Sequence, residues 1–190
     1  MGASFILEND EGFRWDIFIA QVMRKFIFSE SMKSRATTFG NYKNLKLGIA
    51  SNTDIFLFKS ITEREGDLED MLALVRAGID SDALLQEVKT QKKLLGTQIW
   101  LTYINAKLAE LEEKYGVTLP IKEKIEEMAG KVYNKFEVIC LLKERDMSME
   151  ELREKVEMSR EDLEEAVRDL LEKRNIKKVK GRLKLISERL

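Results

Sequence analysis

SMEELREKVEMSREDLEEAVRDLLEKRNIKKVKGRLKLI, residues 148–186, decides the fold of the C-terminal third. It holds two serine-led boxes: Ser148-Met149-Glu150-Glu151 fits S-x-x-E, and Ser159-Arg160-Glu161-Asp162 is its acidic near-equivalent. In each, a hydroxyl can accept from the unpaired backbone N–H groups of a helix start. The boxes predict a short helix over 148–156 and a longer one over 159–173, with Leu163, Val167, Leu170 and Leu171 facing inward. That leaves Glu161, Glu164, Glu165, Arg168, Asp169 and Glu172 on the outward face. Ile176 and Val179 before Gly181, with Leu183 and Leu185 after it, predict a β-hairpin turning at the glycine. Immediately upstream, 121–145 sets Val132, Phe136, Ile139, Cys140 and Leu142 on helical faces, with Cys140 as a small buried hydrophobe.

Charge divides sharply along this stretch. Residues 148–175 carry 6 basic and 10 acidic side chains, whereas 176–190 carry 6 basic and one acidic. The whole chain of 190 residues averages these away to a net charge of −1, from 33 Lys and Arg against 34 Asp and Glu. There is no histidine, so no Ser-His-Asp or Cys-His engine and no His-bearing zinc site can be built. The single cysteine closes no disulfide within the chain. Glu (24) and Lys (21) outnumber Asp (10) and Arg (12), a bias of heat-adapted proteins. No apolar run approaches the roughly 20 residues of a membrane span. The start, MGASFILENDEG, lacks the basic n-region and apolar stretch of a signal peptide. A cytoplasmic location without membrane contact is therefore expected.

Working back towards the start, GVTLP (116–120) reads as a linker, because Gly ends a helix and Pro cannot continue one. From 81 to 115 the apolar positions keep helical spacing, with Gly96 separating two helices. GDLEDMLALVRAG (66–78) reads as a helix with acids in its first turn and Gly78 at its end. DIFLFKSI (54–61) is apolar enough for strand or helix, and Thr53 and Asp54 as capping residues favour helix. Further back lie the candidate strands FRWDIFIA (13–20), ATTF (36–39) and LKLGIA (45–50). A turn spans 40–44, and SESMKSRA (29–36) reads as a short helix opened by Ser29. Phe5, Phe13, Trp15, Phe18, Phe26, Phe28, Phe56 and Phe58 fall in apolar runs and are assigned to the core.

Helix, short helix, helix and hairpin within about 65 residues resembles a winged helix-turn-helix domain. The resemblance implies nucleic-acid binding, with Lys177, Lys178, Lys180, Arg182 and Lys184 of the wing on phosphates. The acidic outward face of the longer helix repels phosphates and lacks the side chains that read bases. Contact through the wing alone, or a protein partner on the acidic helix, are the alternatives. The lysines also have a plainer role as the solvated face of an edge hairpin.

RWDIFI (14–19), FSESMKSRA (28–36), LKLGIASNTDIFLFKSI (45–61) and TEREGDLEDM (62–71) together resemble the back half of another fold. It is the nucleotidyltransferase domain of the DNA-polymerase-β type, in the prokaryotic group related to abortive-infection toxins. The resemblance implies that Asp16 is the third metal-binding carboxylate and that Lys59 lies near the nucleotide's phosphates. It also implies that Arg64, Asp67 and Asp70 form the Arg-x-x-Asp-x-x-Asp signature bracing the site. Mg²⁺ and a nucleoside triphosphate are the cofactors such a site implies. Clustered carboxylates hold the ions, and a lysine offsets phosphate charge. Residues 1–14 contain neither the Gly-Ser turn nor the Asp-x-Asp pair that the family places upstream of this carboxylate. The only Asp-x-Asp, Asp80-Ser81-Asp82, suits helix capping. Taken singly, Asp16 can face solvent from its strand, Asp67 and Asp70 can serve the helix dipole, and Lys59 can snorkel.

The expected architecture is thus α+β and mostly helical. A truncated nucleotidyltransferase-like mixed sheet with helices covers 1–78, a helical connector 79–119 and a winged helix 120–190. The expected function is that of a non-catalytic or incomplete nucleotidyltransferase-like protein acting by macromolecular binding, regulatory or defence-type. The alternatives are an active enzyme in a longer form of the chain and a transcription regulator using the basic wing. A sheet lacking its upstream strands exposes an edge, so a homodimer is expected, with the 81–115 helices as a second surface.

Overall fold

The structure, a computed structural model, describes residues 5–19, 21–22, 26–62, 64 and 66–188. It is an α+β protein whose strands pair only as two-stranded antiparallel sheets among the described residues. The sheet expected near the N-terminus takes the form of consecutive hairpins, since strands joined by short turns pair antiparallel with their neighbours. The chain forms two compact units, one from 1–95 and 106–122, the other from 96–105 and 123–190.

The first unit opens with β1 (Phe5–Glu8) and β2 (Arg14–Ile17), in register Phe5↔Ile17 and Leu7↔Trp15. Then come β3 (Gln21–Val22), β4 (Phe26–Ile27) and α1 (Glu30–Arg35), which Ser29 caps as expected by accepting from Met32 N. β5 (Thr37–Tyr42) and β6 (Leu45–Ile49) form the next hairpin. The ambiguous run is helical, α2 (Asn52–Lys59). Its cap is Ser51 rather than Thr53 or Asp54: Ser51 Oγ accepts from Asp54 N, which puts Asp54 inside the first turn. α3 (Asp67–Ala77) and α4 (Ser81–Leu94) follow, and Asp80 caps α4 through Ala83 N, the capping use foreseen for the Asp-x-Asp. α2 packs on both α3 and α4, and α4 packs on β4. Phe26, Met32, Phe56, Leu57, Met71, Leu84 and Val88 are buried here. Phe26 and Phe28 both lie against Phe58, with centroids 6.4 and 6.2 Å away.

Three aromatic residues assigned to the core are not in it. Phe5, Phe13 and Trp15 are 57%, 64% and 68% exposed. Their hairpin pairs with itself, and no other element among the described residues covers its apolar face.

α5 (Trp100–Tyr115) and α6 (Lys122–Glu144) span the unit boundaries. The second unit continues with α7 (Met149–Arg153), α8 (Arg160–Glu172), β7 (Ile176–Val179) and β8 (Arg182–Leu185). At Ser148 both halves of the capping box form. At Ser159 the hydroxyl accepts from Asp162 N. The hairpin turns through Lys180 and Gly181, both at positive φ (50° and 80°), a turn whose twist matches the strands. Met147 pairs with Leu183 on the far side of β8 and leaves β7 as the open edge.

Val138, Ile139, Leu142, Leu152, Leu163, Ala166, Val167, Leu170, Ile176 and Leu183 fuse the unit's core. Leu171 is 36% exposed, and Ala166 takes the inward position expected of it, because 163, 166, 167 and 170 form the helical stripe. Cys140 is half-buried rather than buried, and Phe136 is exposed. The inward stripe of α6 runs through Val132, Lys135, Val138, Ile139 and Leu142, which puts both residues beside it. Among the described residues no helix is long and apolar enough to cross a membrane.

Candidate functional site

Three groupings of polar side chains stand out, two in the first unit and one in the second. The first collects all five residues of the N-terminal signature. Lys59, in the last turn of α2, donates to Asp67 Oδ1 (3.0 Å) and Asp70 Oδ2 (2.7 Å) in the first turn of α3. The Thr62 hydroxyl donates to the other Asp67 oxygen. Burial works against both charges, pushing the Asp67 carboxyl up and the Lys59 ammonium down. The hydrogen bonds outweigh it, so Asp67 sits below the usual carboxylate range and Lys59 above the usual lysine range. Arg64 adds its positive charge to Asp67 and lies 3.8 Å from Asp16 Oδ2, while Arg14 Nε donates to Asp16 Oδ1 at 2.9 Å. Arg64 thus forms an ion pair with Asp16 on β2.

The result is a run of alternating charges from Asp16 through Arg64 and Asp67 to Lys59 and Asp70. As a holder of Mg²⁺ it is poorly suited. Asp16 already faces two guanidinium groups, and Asp67 and Asp70 face an ammonium. No three acids, Cys or His among the described residues group closely enough to hold a metal ion.

The second grouping escaped the reading of the sequence. Arg35, at the end of α1, grips the fully buried Asp54 with Nη2 to Oδ1 (2.6 Å) and Nε to Oδ2 (3.2 Å). Its Nη2 also reaches Glu87 Oε2 at 2.8 Å. Glu87, 1% exposed, receives three more hydrogen bonds, from Ser29 (2.7 Å), Ser31 (2.6 Å) and Gln91 (2.9 Å). Burial raises its pKa, but these donors and Arg35 hold it below the usual range. Gln91 meanwhile imitates a strand, accepting from Ile27 N (3.0 Å) and donating to Ile27 O (2.7 Å), which ties β4 to α4. A signal for this hub existed: Leu84, Glu87, Val88 and Gln91 share one helical stripe, so two polar residues had to be buried with the apolar ones. Beside the hub opens a cavity of about 740 Å³ lined by Phe18, Ile27, Phe28, Ser31 and Leu94 among others.

The third grouping is the basic hairpin. Arg182 donates to the Asp146 carbonyl (2.8 and 3.2 Å) and to Glu151 Oε2 (2.7 Å), and Lys184 lies 3.7 Å from Asp146 Oδ2. Both therefore fasten the hairpin to its own unit. Lys177, Lys178 and Lys180 are exposed and make no ion pair among the described residues. Lys177 sits directly across from Lys184 on the same face. On α8, Glu165 and Asp169 turn out to face α6, where they meet Lys131 (3.1 Å) and the buried Lys135 (3.2 Å). They leave the outward face on which they were expected. Glu164 pairs with Arg160 along the helix.

No known relative supplies a function. A scan of protein-family models gives no match, and searches of curated proteins and of solved structures return no significant match. Function therefore rests on these three groupings alone. The charge run and the buried hub pair their ions among themselves, and of the three groupings the hairpin is the one that offers charge to another molecule.

Proposed function

We propose that the protein acts by macromolecular binding, holding the phosphate backbone of nucleic acid through its C-terminal hairpin. In this reading the second unit is a winged helix-turn-helix in which the wing makes the contact. The observation that carries it is the arrangement of Lys177, Lys178 and Lys180, exposed and making no ion pair among the described residues, on a hairpin that Arg182 and Lys184 anchor. Like charges placed opposite one another on a sheet face destabilise it, and Lys177 across from Lys184 is such a pair. A bound polyanion removes that cost. The outward face of α8 carries Glu161, Glu164 and Glu172, so α8 is not the reading element, and binding is insensitive to base sequence.

Fluorescence anisotropy of a labelled DNA duplex, measured across salt concentrations, tests this. Log affinity falls with log salt by about 0.9 per phosphate neutralised. Lys178→Glu with Lys180→Glu weakens binding by about tenfold or more at low salt and flattens the slope. Binding untouched by that pair overturns the proposal.

The first unit is read as a non-catalytic counterpart of nucleotidyltransferase domains. Asp16 and Lys59, the groups that would meet metal and phosphate, are each neutralised within the chain. Calorimetric titration with Mg²⁺ and nucleoside triphosphates therefore yields no heat at millimolar nucleotide. Saturable heat that Lys59→Ala removes would restore a nucleotide site.

A further inference from the structure

The first unit leaves two sheet faces bare. In the β1–β2 hairpin, Phe5, Leu7, Trp15 and Ile17 share one face through their register pairs, and the first three are more than half exposed. In β6, Leu45, Leu47 and Ile49 alternate onto one face and are 56%, 36% and 52% exposed, with Phe39 of the β5 bulge at 70%. These exposures hold within the folded chain, so no element among the described residues covers either face. At roughly 100 Å² of uncovered side chain per residue, the two hairpins offer on the order of 800 Å² per copy, the size of one side of a standard stable interface.

Charge singles out the occupant. The turn of the β1–β2 hairpin carries Asp10 and Glu11, both exposed and without ion pairs among the described residues. The β5–β6 hairpin carries Lys43 in its turn, equally exposed and equally without an ion pair among the described residues. Each hairpin thus lacks an apolar cover and a counter-ion, and the other hairpin possesses both.

We propose that the chain forms a two-fold dimer in which the β1–β2 hairpin of each copy lies on the β5–β6 hairpin of the other, apolar face on apolar face. The acidic turn of one hairpin meets Lys43 of the second copy. The two-fold axis makes the two contacts reciprocal, each copy giving one hairpin and receiving the other, and the assembly closes at two. Neither contact involves the basic C-terminal hairpin, so the dimer stands or falls independently of nucleic-acid binding.

Sedimentation of the full chain is expected to give the mass of two copies at micromolar concentration. Trp15→Ser with Leu47→Ser gives a monomer with an unchanged far-ultraviolet spectrum, since both side chains are exposed. The deciding experiment reverses charge. Asp10→Lys with Glu11→Lys, in one preparation, weakens self-association by about tenfold or more, and Lys43→Glu does so in another. Mixing the two preparations restores the dimer at the affinity of the unaltered chain, because each mismatched surface then meets its complement. A monomeric unaltered chain overturns the proposal, as does a mixture that stays as weak as its components.

Discussion

The guanidinium of Arg35 meets the fully buried carboxylate of Asp54 through two hydrogen bonds, and the same Nη2 serves Glu87. One cation therefore compensates two buried anions contributed by α2 and α4. Arg35→Met leaves both without their counter-charge, and breaking a buried pair in this way costs about 3–5 kcal/mol. Urea unfolding should show a large fall in midpoint. Arg35→Lys should recover only part of the loss, because an ammonium cannot reproduce the forked geometry. A full recovery would mean that charge alone suffices.

Glu87 and Asp67 give the first unit an acid limit. Their folded pKa values lie below the unfolded ones, so the stability they supply is fully present above about pH 4.5 and lost as pH falls through the lowered values. Lys59 works in the opposite sense: its pKa is raised, and its contribution is complete below about 10.5 and lost as pH rises further. The urea midpoint should be flat around neutrality and decline at both extremes. Glu87→Gln should lower it at pH 7 and make the acid decline shallower. An acid decline as steep as that of the unaltered chain would assign the titration elsewhere.

What the sequence revealed depended on whether the signal was local. Ser29, Ser148, Ser159 and the Lys180-Gly181 turn could be read because caps and tight turns are decided within a few residues. The charge run was legible as a set of residues, but the pairing of Arg64 with Asp16 across 48 positions in sequence was not. The hub shows the same limit: the place of Glu87 and Gln91 on the apolar stripe of α4 signals their burial, but the other members, Ser29, Ser31, Arg35 and Asp54, come from elsewhere in the sequence. Trp15 and Phe5 misled in the other direction. Apolar residues on a strand imply that something covers them, not that the same chain does.

Ser148 tests the local signal. Its hydroxyl accepts from Glu151 N at 3.2 Å, and Glu151 Oε2 accepts from Ser148 N at 2.7 Å. Ser148→Ala should cost about 1 kcal/mol. That backbone N–H, followed by Arg182 and Arg145, holds the Glu151 carboxyl down to about 2. The folded pKa being depressed, the contribution of Glu151 should persist on acidification until pH approaches that value. Chemical shifts of α7 amides across an acid titration would report the step, and an inflection near pH 4.5 would contradict the assignment.

The cross-strand pair of Lys177 and Lys184 separates binding from stability most cleanly. Opposite charges directly across an antiparallel pair favour the sheet and like charges oppose it, a difference of about 0.2–1 kcal/mol. Lys177→Glu should therefore raise the urea midpoint of the protein while weakening DNA binding and making its salt dependence shallower. The two effects have opposite signs, so a variant that merely damages the fold cannot produce both. If stability rises and DNA affinity stays the same, the phosphate-binding role of this hairpin face fails, and its lysines serve only to keep an open strand edge solvated.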